Sequence, residues 1–324
     1  MLQENWTTIK EFILVGFPEL PPEYYGLVSC AFFFIYVITM AGNSLLVILF
    51  AHERSLQKPM YGIMVSLALS DMGFSTTALP KIIARYWFND EVVPFDVCLI
   101  QMLLIHYFGS LNSFIMMIMA LDRYIAICNP LRYPVLMTSR NVIIINVTCW
   151  ITSFITPTIS IVHAYEFPYC GPNRIIQCYC DHNSISKLAC ANIKYQYLVA
   201  FVNAMIVLLV PLAFIIFSYG SIIFSVMRIV TSQGRWKAFT TCSTQLCIIA
   251  LYYFPRCSVY ITNVVGVVIT PDLRIALILL YSVFPPFINP FIYCFRAKEI
   301  KEALARWVRI VKFGPKVSLV TTVR

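Results

Sequence analysis

Seven apolar runs, at 24–50, 58–82, 98–122, 141–163, 196–226, 238–265 and 271–294, are each long enough to cross a bilayer, which takes about 20 residues as a helix. Hydrocarbon offers no water to a backbone N–H or C=O, so such runs must be helices that close their own hydrogen bonds. The rest of the composition agrees. Of 324 residues, 60% are hydrophobic and 12% charged, and mean hydropathy is +0.77; that is about half the charge of a soluble globule. The expected fold is an all-α membrane protein, a seven-transmembrane helix bundle plus a short amphipathic C-terminal helix. Its expected layout is a tail over 1–23, the bundle over 24–294 and a helix with a tail over 295–324.

Lysine and arginine set the expected orientation. With the N-terminus outside, Arg54, Lys58, Arg123, Arg132, Arg140, Arg228, Arg235, Lys237 and eight residues beyond Tyr293 lie inside, 16 of the 24. This bias predicts an extracellular N-terminus and a cytoplasmic C-terminus. The net charge of +9 is then a topology signal, and no nucleic-acid footprint is present because the basic residues are not gathered on a solvated domain. The first long apolar run is itself of span length, so no cleavable signal is expected. Asn5-Trp6-Thr7 fits a glycosylation acceptor on the outer side, whereas Asn146-Val147-Thr148 fits the same pattern inside the fourth span, out of reach.

Polar residues inside the spans carry the functional expectations, since a charge at mid-bilayer costs roughly 2.5–3.5 kcal/mol on insertion scales. Asn43 and Asp71 are expected to face the bundle interior and each other, as structural glue or as part of a switch. Lys81 follows Asp71 at i+10 and either shares its inward face or snorkels outward. His106 either lines a pocket or bonds between helices. Arg256 lies deep in the sixth span and needs an anion; Tyr253, Arg256 and Tyr260 follow at i, i+3 and i+7 and share a face. The anion is either a carboxylate or sulfate ligand held bidentately or an internal acid such as Glu166 or Asp181. In the seventh span Pro285, Pro286 and Pro290 predict a kink, with Asn289 placed to satisfy freed carbonyls or to meet Asp71. Beyond it, Ile300, Leu304, Trp307, Val308 and Val311 form an apolar stripe flanked by Lys301, Arg306, Arg309 and Lys312, the pattern of a helix lying on an anionic inner leaflet.

Five of the twelve cysteines, Cys98, Cys170, Cys178, Cys180 and Cys190, fall in the outer segments, where disulfides are expected. Spacing alone does not fix their pairing. Cys178-Tyr179-Cys180 lacks the two-residue gap of a zinc site, and neither metal nor cofactor is expected.

Five stretches, Lys58-Pro-Met-Tyr61, MALDRYIAICNPLRYP at 119–134, Ser218-Tyr219, KAFTTCSTQL at 237–246 and PPFINPFIYCFR at 285–296, carry a resemblance. With them the chain resembles the vertebrate odorant receptors among the rhodopsin-like G-protein-coupled receptors, over nearly all of 5–312. AICNPL and KAFTTCS are distinctive of odorant receptors; Asp-Arg-Tyr and Asn-Pro-x-x-Tyr mark the wider class. CGPN at 170–173, Cys180-Asp181 and LAC at 188–190 also look like the family and imply the pairs Cys98–Cys180 and Cys170–Cys190, leaving Cys178 over. Leu121 stands where the family usually has Tyr, Gly62-Ile63 where it has an aromatic-rich continuation, and Asn112 where it often has an acid that with Asp71 would complete a cation site. These departures point to a divergent branch, of the kind found in fish, and put a bound sodium ion in doubt.

The resemblance implies no enzyme but a receptor of the plasma membrane, whose partners are a small-molecule odorant, a heterotrimeric G protein of the olfactory or stimulatory type that raises cAMP, and membrane lipid. The implied switch is Asp122, Arg123, Tyr124, Tyr219, Asn289, Pro290 and Tyr293, with Asn43, Asp71 and Asn112 as an interior polar network. Candidate ligand residues are Lys81, Ile105, His106, Gly109, Asn203, Tyr253, Arg256, Tyr260 and Ser282. Two cations and no acid among them favour an anionic ligand. Ile105 stands where amine receptors of the wider class place an acid, which argues against amines. The rivals are a non-olfactory seven-helix chemoreceptor and a transporter, although internal repeats and broken half-helices, which a transporter predicts, are not evident. A retinal receptor would need a lysine within 271–294, and none is there.

Overall fold

Proline after an extended residue starts a helix cleanly, because its missing N–H is one the first turn leaves unused. Lys58 is extended and Pro59 opens a helix; Thr270 is extended, caps the N–H of Leu273 and precedes Pro271, which opens another. In the computed structural model, which describes residues 9–169, 172–190, 194–228, 232–265, 267–296 and 298–313, these two helices belong to a set of eight long elements. These are α1 (Tyr25–His52), α2 (Pro59–Trp87), α3 (Phe95–Cys128), α4 (Ser139–Glu166), α5 (Lys194–Met227), α6 (Ser232–Val265), α7 (Pro271–Ser282 and Phe284–Arg296) and α8 (Lys298–Phe313). Among the described residues, α1 to α5 and α7 are long and apolar enough to cross a membrane. The 34-residue α6 has the length, and its apolar content is diluted by Tyr252, Tyr253, Arg256 and Tyr260. The result is the expected seven-helix bundle. Its helices overrun the apolar runs: α3 continues to Cys128, since hydropathy marks only the lipid-immersed part.

Prolines place the breaks. Pro157 leaves the Ser153 carbonyl without its N–H, and α4 is interrupted there, between Thr152 and Ile155. Pro285 and Pro286 do the same to Tyr281 and Ser282, and α7 breaks at Val283. Pro290 orphans the carbonyl of Pro286, which receives Asn43 Nδ2 of α1 at 3.1 Å. Asn43 therefore satisfies the α7 kink and does not meet Asp71. Beside it the helices nearly touch, because a Cβ on Gly42 would lie 2.8 Å from Pro290 Cβ. Gly42→Val is expected to cost about 1–3 kcal/mol by overpacking against a rigid ring, seen as a lower thermal-unfolding midpoint of the detergent-purified protein.

The N-terminal segment is not a free tail. β1 (Glu11–Leu14) pairs antiparallel with β2 (Val92–Pro94) and parallel with β3 (Arg174–Ile175), in the order β2-β1-β3. Phe12 and Leu14, two apart and so on one face of the strand, are fully buried among Leu99, Met102, Phe167 and Ile175. Arg85 holds the segment, donating from Nε to Leu14 O at 3.0 Å and from Nη2 to Val15 O at 3.2 Å. Nη2 also pairs with Glu91 at 2.9 Å. This sheet caps one end of the bundle, here called the cap end. At the other end α8 folds back on α1 and α2 through Arg306–Glu53 at 2.8 Å and Lys58–Glu299 at 3.3 Å. Ile300 and Ala303 of α8 are buried and Trp307 packs partly buried; the side chains of Val308 and Val311 lie outside the description.

Candidate functional site

Cys98, in the first turn of α3, is bonded to Cys180, with Cα atoms 5.4 Å apart. This pins the loop between α4 and α5 over the bundle, and Asp181 follows at once as the cap of a short helix, His182–Ser186. Cys190 is also disulfide-bonded, whereas Cys170 and Asn5 lie outside the described residues. Cys178 is a buried free thiol. Burial pushes it up to about 12, so it stays protonated and unreactive.

Below the loop lies a cavity of about 580 Å³, a volume suited to a small organic ligand. Ile105, His106 and Gly109 of α3, Asn203 of α5, Arg256 and Tyr260 of α6 and Ser282 of α7 all line it. His106 Nε2 and Asn203 Nδ2 are buried there without a partner among the described residues. A Cβ at Gly109 would meet nothing within 4 Å, so this position borders open space.

Two expected lining residues lie elsewhere. Lys81 Nζ donates to Asp90 Oδ2 and to Val92 O, both at 2.7 Å, and so ties α2 to the cap. Tyr253 is buried in the helix packing, and Tyr252 takes its place: the cavity face of α6 runs through 252, 256, 259 and 260, not 253, 256 and 260. Spacings of three and four are both neighbours on a helix, and packing chose the latter. The structure also lines the cavity with Tyr179, His182, Lys194, Arg274 and Tyr281, and with Asp181, which the sequence offers only as an internal partner for Arg256. One of them, Asp181, overturns the expectation of a cavity without an acid. Burial lowers the His182 imidazole to about 4, with nearby His106 adding to the effect, so this ring is uncharged near neutral pH.

Arg256 sits at the centre of the polar wall. Its Nη1 donates to the Tyr252 hydroxyl and to Ser113 Oγ at 3.3 Å, and its guanidinium lies 5.3 Å from the Tyr252 ring and 6.0 Å from that of Tyr281. Tyr252 donates in turn to Gly109 O at 2.6 Å. Among the described residues no carboxylate comes within ion-pair distance of Arg256, neither Glu166 nor Asp181.

A second polar layer starts at the cavity floor. Asn112 lines the cavity and donates Nδ2 to Asp71 Oδ1 at 3.1 Å, while Asn289 Nδ2 donates to Asp71 Oδ2 at 2.7 Å. A single carboxylate thus joins α2, α3 and α7. At the far end Arg123 Nη2 pairs with Asp122 Oδ2 at 3.3 Å, and Tyr133 donates to Asp122 Oδ1 at 2.8 Å. Tyr219 donates to Gln245 Oε1 at 2.8 Å, and the Tyr293 hydroxyl is buried without a hydrogen-bond partner among the described residues. Neither tyrosine meets Arg123; Tyr124 lies 6.2 Å from Phe217, ring to ring. Pro290 packs on Gly42.

Comparison with known proteins agrees in sequence and in shape. Residues 32–310 match the family model described as olfactory receptor. Human olfactory receptor 10A5 is 34% identical over 93% of this chain and 95% of its own length. Human olfactory receptor 10G3 is 35% identical over 94% and 96%, and mouse olfactory receptor 1E16 is 33% identical over 94% and 96%. Among solved structures, squid rhodopsin superposes with a TM-score of 0.70 at 18% identity, covering 90% of this chain and 88% of that one. The chain therefore belongs to the olfactory receptor family, the seven-helix, non-enzymatic G-protein-coupled receptors of the plasma membrane that sense small-molecule odorants.

Proposed function

We propose that this receptor binds a small anionic odorant in the cavity at the cap end and signals through a G protein of the olfactory or stimulatory type, raising cAMP. The observation that carries the ligand class is Arg256, a cation on the cavity wall that, among the described residues, only hydroxyls and aromatic rings hold. In a low-dielectric site a guanidinium favours a carboxylate or sulfate, which it can grip through two parallel bonds. In this reading the cap end faces outward with Asn5 glycosylated, and α8 lies on the inner leaflet.

The ligand acts by preferring one of two packings, since a ligand with equal affinity for both shifts nothing. In the resting packing Arg123 is held by Asp122. In the active packing it leaves Asp122, Tyr219 and Tyr293 turn toward it, and the opened cleft takes the C-terminal helix of the G-protein α subunit. Asn112 supplies the connection, because it touches both the cavity and the Asp71 layer.

The test is Arg256→Ala in a cell-based cAMP assay against a panel of acids, amines and neutral odorants. Loss of one charge-assisted contact, about 1.5–3 kcal/mol, is expected to raise the half-maximal concentration of acidic agonists by roughly 10- to 150-fold while leaving neutral agonists unchanged. An equal loss for neutral agonists would make Arg256 a structural residue.

A further inference from the structure

We propose that the preferred ligand is amphoteric: an amino acid or a related molecule whose carboxylate meets Arg256 and whose ammonium meets Asp181. This deepens the anionic reading above and rests on it. A cavity with cations alone would take any acid of the right size, but among the described residues that line this one, beside Arg256, Lys194 and Arg274, stands one acid, Asp181.

Asp181 is on the cavity wall, and its place is fixed covalently, one residue after the disulfide that fastens Cys180 to α3. Its hydrogen bonds among the described residues engage one oxygen, Oδ2, which accepts from Ser184 N at 3.3 Å and Ser184 Oγ at 3.1 Å. No ion pair to Asp181 is formed among the described residues. The carboxylate caps a helix of only five residues, and both capping bonds leave its charge in place.

Arg256 and Asp181 line the same cavity as Tyr260 and Tyr281. Arg256 and Tyr260 are one helical turn apart, about 6 Å along the axis, and the Tyr281 ring is 6.0 Å from the guanidinium. A simple carboxylate drawn to Arg256 enters the repulsive field of Asp181; a simple amine drawn to Asp181 enters that of Arg256. A molecule with both groups is attracted at each end, and its apolar or aromatic middle lies on the two phenols. The acid comes from the loop and not from α3, where Ile105 stands, so the amine end would sit near the mouth.

The experiment uses the full-length receptor in cells, read by cAMP and by surface staining. The probes are ω-amino carboxylic acids of increasing chain length, each compared with the carboxylic acid lacking the amine and the amine lacking the acid. The expected wild-type result is a response to amino acids of one preferred length, at half-maximal concentrations about tenfold or more below those of the matched acids. Asp181→Asn should erase that preference and leave acids at least as effective as before, while Arg256→Ala should lose both. Asn caps a helix as well as Asp does; Asp181→Ser, also a capping residue, must give the same result at normal surface level. If wild-type acids match the amino acids and both need Arg256, the amphoteric proposal is overturned and the anionic reading stands. If Arg256→Ala leaves every response intact, or the whole series is silent, both are overturned.

Discussion

Cells expressing Cys98→Ser are expected to display almost no receptor at the surface, with the protein retained and degraded. The bond it removes spans 82 residues, and closing a loop of that length lowers the entropy of the unfolded chain by an amount worth about 4–5 kcal/mol. That is comparable with a typical net folding stability of about 5–15 kcal/mol. The loss is compounded by position: Cys98 and Cys180 are fully buried in the cluster holding Phe12, Leu14 and Ile175, so the substituted hydroxyl would enter an apolar site. The loop carrying Tyr179, Asp181 and His182 would no longer be fixed over the cavity. Surface immunostaining with total-protein blotting tests this, and normal surface density with unchanged ligand response would refute it. Cys178→Ser should be far milder, because that thiol is buried but in no disulfide.

Asp71→Ala should be the most damaging single change within the helix packing. Asp71 is 1% exposed and accepts from Asn112 on α3 and Asn289 on α7. Alanine leaves both amides buried without their acceptor, each at about 1–3 kcal/mol; the low end applies in a membrane, where side chains find other partners when unfolded. A combined loss of about 2–4 kcal/mol is the expected outcome, measured as thermal unfolding of purified receptor in detergent. Asp71→Asn keeps one acceptor oxygen and turns an NH₂ toward the second amide, so it should fall between wild type and alanine. A midpoint unchanged by alanine would show that Asp71 does not bind the three helices together.

The half of the molecule away from the cap was legible in the chain because its signals are local. Asp122-Arg123-Tyr124 closes an apolar run, and in the structure the acid and base do pair at the end of α3. Asn289 was expected at either the kink or Asp71, and it meets Asp71. The kink fell to Asn43 instead, because the carbonyl that Pro290 frees lies against α1, where Gly42 lets the two helices approach. No spacing within either helix encodes that approach.

The cap half was less legible, and the reason is relational. β1 is four residues long, too short for any periodic signal, and its partners lie far along the chain beside α3 and in the loop after α4. Lys81 lies at the cap end, and its direction depends on Asp90 and Val92, which a helical wheel of α2 does not contain. Tyr252 and Tyr253 are adjacent and chemically identical, and only the docking of α6 against α3 through Ser113 and Gly109 decides which reaches the cavity.

The sequence by itself determined the seven membrane helices, their proline breaks and the family, because transfer to lipid is summed residue by residue along a run and the motifs are contiguous. The tertiary structure decided which charges see one another. Arg256 announced its need for an anion from sequence alone, but that Asp181 shares its cavity, rather than neutralising it, follows from a disulfide and a loop fold that set distances between residues far apart in the chain.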